Sequence, residues 1–328
     1  MKSNAAKHTF SPFFPLAAAL CALLGMLLFS QQAVEGAKRG LSICANMIVP
    51  SLFPFFVLSF LLNDLGLPSY LGRFLEPVMN RLFGVSGAGA SAFLIGITGG
   101  YPLGAACIAD LVRRGDLRRE EGERLLPFCN NSGPAFIIGA AGIGIFHSSA
   151  VGLALYGAHI LSALIVGLFL SGSHTGQPDA PRILIRGMSL SQSLPNAIKN
   201  ATMQILTVCG FVVTFSVLTD LLDTMGVFSA IYGRIAQYTG YELRLTRAIL
   251  TGFLELGCGV GALEGAAITP VNLAACAFLI GFGGISVAMQ TASVLAGTNI
   301  KVSRHLAGRL PNAAISAFLV YTFGSLLL

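Results

Sequence analysis

The 328 residues are 54% hydrophobic and only 10% charged, with a mean hydropathy of +0.77, whereas a soluble chain carries roughly 25% charged residues. That balance excludes a water-soluble globular enzyme and describes an integral membrane protein with little mass outside the bilayer. The net charge of +6 does not point to nucleic acid, because Lys and Arg sit in short stretches between apolar runs, where they report topology.

The 7 Cys form no CxxC pair and the 5 His are isolated, so no metal site is expected. The Cys read as small apolar filler. No Trp is present, and the 39 Gly suit closely packed helices. No cofactor is expected.

Residues 1–10 are polar, with Lys2 and Lys7, and residues 13–30 form an apolar run of bilayer length. A signal peptide has a similar start, but this run is long and lacks a clean small-x-small cleavage site, which favours a retained helix. Residues 41–62 predict a second span, kinked by Pro50 and Pro54. Across residues 66–83, Arg73, Glu76 and Arg81 alternate with Phe74, Leu75, Val78 and Leu82 in the pattern of an amphipathic helix at the interface. Residues 86–112 are apolar but interrupted by Gly99-Gly100-Tyr101-Pro102. The charged stretch 113–124 reads as a solvated loop.

The next apolar run, 125–146, carries Asn130-Asn131-Ser132-Gly133-Pro134. Pro134 removes a backbone donor, and non-helical backbone at membrane depth is tolerated only when buried or lining a cavity. This segment is therefore read as the wall of a binding site. After a turn at His147, residues 150–170 span again, and His159 reads as a helix-packing residue.

Residues 171–195 are rich in Ser, Gly and Pro. In the second half, 202–222 spans, 227–241 is amphipathic, 244–263 is interrupted at Gly257–Gly261, 270–295 is interrupted at Gly281–Gly284, 301–309 is basic, and 311–328 spans. The order of parts is that of the first half. Leu94-Ile95-Gly96 resembles Leu250-Thr251-Gly252, and each half has a span ending in Asp, at Asp64 and Asp223. The division expected is an N-terminal transmembrane helix (1–40), a first repeat (41–171), a cytoplasmic linker (172–199) and a second, inverted repeat (200–328).

Charge orients the repeats. If 86–112 and 244–263 are re-entrant hairpins, 15 of the 20 Lys and Arg fall on one side, leaving Lys38, Arg39, Arg234, Arg244 and Arg247 on the other. The positive-inside rule makes the first side cytoplasmic, with the N-terminus. Each half then crosses three times and the halves are inverted, as in secondary transporters. The fold expected is an all-α polytopic membrane protein with about seven crossings, two re-entrant hairpins and discontinuous helices.

Pro50-Ser51-Leu52-Phe53-Pro54, Leu75-Glu76-Pro77, Gly99-Gly100-Tyr101-Pro102, Asn130-Asn131-Ser132-Gly133-Pro134 and Gly252-Phe253-Leu254-Glu255 together resemble the YlbJ-type sporulation integral membrane proteins. These belong to the nucleoside-recognition, or Gate, group, related to the concentrative nucleoside transporters and to the membrane part of the ferrous-iron transporter. The resemblance covers about residues 45–323. It implies a broken-helix inverted repeat in a spore-forming bacterium and leaves the substrate open.

The candidate substrate-binding residues are Gly99, Gly100, Tyr101 and Pro102 at the first hairpin tip, Asn130, Asn131 and Ser132 at the first break, Glu255 in an apolar segment, and Gly283, Gly284, Ser286 and Gln290 at the second break. An intramembrane acid is functional by default, and Glu255 suits proton coupling, cation binding or a hydrogen bond to substrate. Ser286 and Gln290, four apart, share a helix face. Gly89-Ala90-Ser91 with His159 or His305 is too thin a basis for a serine protease, and no HExxH, P-loop or paired acids accompany it, so no enzyme is expected. The expected partners are the lipid bilayer, a small polar solute and a coupling proton or cation; homo-oligomerisation is left open. The function expected is alternating-access transport in a multi-pass cell-membrane protein of spore formation. The competing expectation is a non-transporting scaffold for spore-envelope assembly.

Overall fold

The computed structural model describes residues 13–170 and 188–324, and every regular element among them is helical. Helix α1 (Phe13–Leu28) precedes α2 (Ser30–Ile43), which continues through a π turn at Cys44–Ile48 into α3 (Val49–Asp64). Residues 30–64 thus form one apolar rod of 35 residues, about 50 Å long at 1.5 Å per residue. The expected span at 41–62 is the second half of this rod. The widened π turn lies where the ring of Pro50 would otherwise press on the carbonyl four residues back.

Three further segments are long and apolar enough to cross a membrane: α8 (Ser149–Leu170), α9 (Leu190–Thr224), and the residues of α13 (Pro270–Phe282) and α14 (Gly284–Leu295) taken together. Helices α4 (Leu67–Phe83) and α5 (Gly87–Gly99) meet at a bend of 93°. The α4 segment is amphipathic as expected, with Phe74 and Val78 turned outward. Its backbone closes on α5 at Gly72 and Gly87, where a Cβ on Gly87 would stand 2.8 Å from the Gly72 carbonyl oxygen. The second amphipathic piece is α10 (Val227–Thr239).

Helix α5 turns back into α6 (Leu103–Arg114) through Gly100, at φ +85°, and a cis Tyr101–Pro102 peptide. A Cβ on Gly96 would be 3.3 Å from Cα of Gly104, so the two arms touch backbone to backbone. In the second half, α11 (Leu243–Leu254) turns back into α12 (Leu256–Gly261), and Gly252 meets Gly259 in the same way.

Several boundaries differ from those the sequence suggested. The charged stretch 113–124 is mostly helix: Arg113 and Arg114 end α6, and α7 (Arg119–Cys129) begins at Arg119. Glu120 and Glu121 stand in its first turn, where acids suit the helix dipole. Glu121 is buried, and its carboxylate accepts from the Ser86 amide at 2.6 Å, fixing the start of α5. Of the expected linker, residues 171–187 lie outside the described residues, and 190–199 already belong to α9. The second hairpin breaks at Glu255 and not at Gly257–Gly261, which are helical. The basic stretch and last span are one helix, α15 (Val302–Phe323).

The ion pairs among the described residues collect at two ends. At one, Arg114 pairs with Asp110, Glu123 with Arg119 and Arg304, and Arg113 donates to the carbonyls of Val294 and Ala296 at the close of α14. At the other, Arg39 pairs with Asp220 and Arg247 with Asp223. Helix α9 runs between them, with Asn200 beside Arg114 and Asp220 beside Arg39.

Candidate functional site

The break after α7 arises where the sequence placed it. The helix stops at Asn130, whose backbone is extended, and a π-helical segment, Ala135–Ile145, restarts after Pro134. The first hairpin straddles this break. Side chains on Gly96 or Gly104 would run into the Cys129 carbonyl oxygen. The tip itself rests on Gly133: a Cβ on Gly100 would be 2.8 Å from its amide nitrogen. Only glycine fits on both sides of that contact, and Gly100 has the positive φ that glycine tolerates.

The second break falls at Gly283, which ends α13 in the left-handed region at φ +83°, followed by Gly284 at φ +80°. The second tip packs there, since a Cβ on Gly284 would stand 2.9 Å from the Gly252 carbonyl and 3.4 Å from the Glu255 amide. Glu255 terminates α11 with extended backbone and caps α12: its carboxylate accepts from the Cys258 amide at 2.7 Å. That one acid both breaks the helix and satisfies an orphan donor of the next.

The two breaks meet. Tyr101 lies across Gly283, with its ring 3.5 Å from where a Cβ would be, and its hydroxyl donates to the Ile280 carbonyl at 3.3 Å. Between them is a cavity of about 40 Å³. Its polar lining is Tyr101 and Ser132 from the first half, and Glu255 and Gln290 from the second. Ile48, Leu52, Val208 and Val212 close it on the apolar side.

The remaining predicted residues support this cavity from outside its lining. Asn130 is a bridge: its carbonyl oxygen accepts from the Ala105 amide at 3.3 Å and its amide donates to Thr291 at 2.9 Å, so α6 and α14 are joined through it. Asn131 donates to the Phe128 carbonyl at 2.6 Å and closes the end of α7. Ser286 accepts from Gln290 at 3.1 Å and orients it. Gly99, Gly100, Gly283 and Gly284 form the close backbone contacts, and Pro102 starts α6.

Two residues behind the cavity were not expected there. Arg309, counted from the sequence among the cytoplasmic charges, is 1% exposed and is the largest fully buried side chain among the described residues. Its guanidinium donates to the Tyr101 hydroxyl at 2.6 Å and to the Pro127 carbonyl at 2.5 Å. It therefore holds the first hairpin tip and the helix before the first break from α15. No ion pair involves it among the described residues. His159 is fully buried, and its Nε2 accepts from the Ser132 amide at 3.1 Å, orienting the cavity serine's backbone. The signal for Arg309 was its register: His305, Arg309, Asn312 and Ser316 follow one helical face, and all four are buried. Among the described residues, no cluster of three or more His, Cys, Asp or Glu is placed to hold a metal.

Residues 45–173 match the family described as Gate, nucleoside recognition, a stretch that holds the first hairpin, the first break and α8. No solved structure matches the chain. The sporulation integral membrane protein YlbJ of Bacillus subtilis (strain 168) is 31% identical over 319 residues, covering 88% of this chain and 77% of that protein. A helical membrane fold, the Gate match across the first break and likeness along most of its length together place this chain in the YlbJ family of sporulation integral membrane proteins.

Proposed function

We propose that this protein is a secondary carrier of spore formation that moves a small polar solute by alternating access. The reading rests on one observation: a small cavity lined by buried residues, with polar groups from each half, sits where two helix breaks and two hairpin tips meet, one of each from each half. Broken helices facing each other across a midplane cavity are how carriers built from inverted repeats hold a solute and its coupling ion. The two halves run through the same order of parts, α3 to α8 and α9 to α15. An inverted arrangement with re-entrant hairpins places the Arg113–Arg124 end in the cytoplasm, together with the N-terminus. The removal of Arg309 from the surface charges leaves that side still strongly basic. Glu255 is the residue suited to carry a coupling proton or cation, and no chemical conversion of the solute is proposed.

Purified protein screened by thermal unfolding against nucleosides, amino acids, divalent ions and cell-wall precursors identifies the solute, because a ligand that binds only the folded state raises its stability. Uptake of that solute into vesicles is expected to be lost in Glu255→Gln. The printed name of the Bacillus relative also accommodates a scaffold in spore-envelope assembly. Normal sporulation with both Asn130→Ala and Glu255→Gln in place would decide for that reading. Labelling of cysteines at positions 118 and 234 from the same side of the membrane would overturn the inverted arrangement.

A further inference from the structure

Three cavities follow one another along a single seam, the one between α3 and α9. A recess of about 210 Å³ at the Arg113–Arg124 end is lined by Ser59 and Asn63 of α3 and Asn200 of α9. The central cavity takes Leu52 and Val208. A vestibule of about 490 Å³ at the Arg39–Arg247 end takes Met47, just before α3, and Ser216. Numbers fall along α3 as they rise along α9, so the antiparallel pair meets the cavities in the same succession.

The two partitions differ in thickness. From Val212 in the central cavity to Ser216 in the vestibule is one helical turn, about 6 Å, whereas from Val208 to Asn200 in the recess is two turns, about 12 Å. Cys258, whose amide holds the Glu255 carboxylate, lines the vestibule directly. The thicker partition contains Phe56, with no exposed surface, and Ile205, both in one apolar cluster with Leu103 of the first hairpin. Leu103 lies two residues beyond Tyr101, the residue that Arg309 holds.

Resting on the carrier reading, we infer that the solute travels along the α3–α9 seam and that Phe56, Ile205 and Leu103 form its closed gate, latched by Arg309 through Tyr101. The structure is therefore that of a state closed toward the Arg113–Arg124 end. Both acceptors of Arg309 are neutral oxygens, a phenol and a carbonyl, so the latch opens without separating an ion pair. The hairpin tip is the part it frees, since Gly100 and Gly133 touch without interlocking side chains.

The test uses the full chain in lipid vesicles with Leu52→Cys as a reporter in the central cavity, native Cys258 kept as a control for the vestibule, and the other native cysteines replaced by Ala. A charged, membrane-impermeant methanethiosulfonate is applied to either face. The Leu52→Cys reporter is expected to react about tenfold faster from the Arg39–Arg247 side, and Phe56→Ala is expected to raise its rate from the other side by about tenfold. Arg309→Gln is expected to act in the same direction. Cys258 reacting at its original rate shows that a variant is folded, and Phe56→Val serves if Phe56→Ala fails that control. Equal rates from the two faces in the parent chain overturn the inference. So does an unchanged rate in a folded Phe56 variant. The reagent needs no solute, so failure here is separate from failure of the carrier reading, which solute uptake decides.

Discussion

The two hairpin tips occupy matching places and are built differently. The first closes on backbone: Gly100 lies on Gly133, Gly96 and Gly104 lie on the Cys129 carbonyl, and the side chain at the tip, Tyr101, is held by Arg309. The second is organised by a side chain: Glu255 stops α11, caps α12 and lines the cavity. A carboxyl inside a membrane is expensive and persists where it has a task, whereas a glycine contact costs little and brings backbones together. Under the proposed carrier reading, the first tip serves packing and closure and the second serves the solute or its coupling ion.

The largest expected effect tests the packing half of this contrast. Gly96→Val drives a side chain into the Cys129 carbonyl, with backbone on both sides of the collision. It is expected to cost more than about 4 kcal/mol and to abolish a folded product, because neither partner is a flexible side chain. A normal yield of purified protein with an unchanged unfolding midpoint would break the comparison at its first term. Asn130→Ala comes next. It strands the buried Ala105 amide and removes the donor to Thr291, whose hydroxyl keeps its own bond to the Val287 carbonyl, and a loss of about 2–3 kcal/mol is expected in denaturant unfolding.

The second tip predicts a different balance between stability and activity. Glu255→Gln keeps an oxygen to accept from Cys258, so its stability cost is expected to stay near about 1 kcal/mol, the worth of a cap. Solute uptake into vesicles is nevertheless expected to disappear. A variant that unfolds easily but still transports would reverse the roles given to the two tips. The smallest effect is expected at Gly261→Ala, in α12, where an added Cβ meets nothing within 4 Å. A gain of about 0.5 kcal/mol is expected there from reduced freedom of the unfolded chain. A loss at that position would show that α12 is packed more tightly than the contact geometry allows.

Some of this design was legible residue by residue. Pro134 after two amides marked the first break, and Gly281–Gly284 marked the second. The amphipathic α4 and α10 followed from spacing. The break at Glu255 was misplaced onto Gly257–Gly261, because glycines suggest interruptions, whereas here an acid ended one helix by capping the next. The stretch 113–124 read as loop from its charge. Its Arg119 and Glu123, four apart, pair along the surface of a regular helix.

By itself the sequence determined that the chain lives in lipid, that its helices break, and where Pro and paired glycines break them. Those are consequences of local composition and backbone chemistry, which act over a few residues. The tertiary structure alone decided which polar groups face the cavity and which join helices. Asn130 and Glu255 are both polar residues in apolar runs, and only the neighbours brought to them from distant segments make one a bridge between α6 and α14 and the other a wall of the cavity. The same holds for Arg309: its burial depends on a phenol 208 residues away, because a buried polar group is tolerated only where the fold supplies its hydrogen-bond partners.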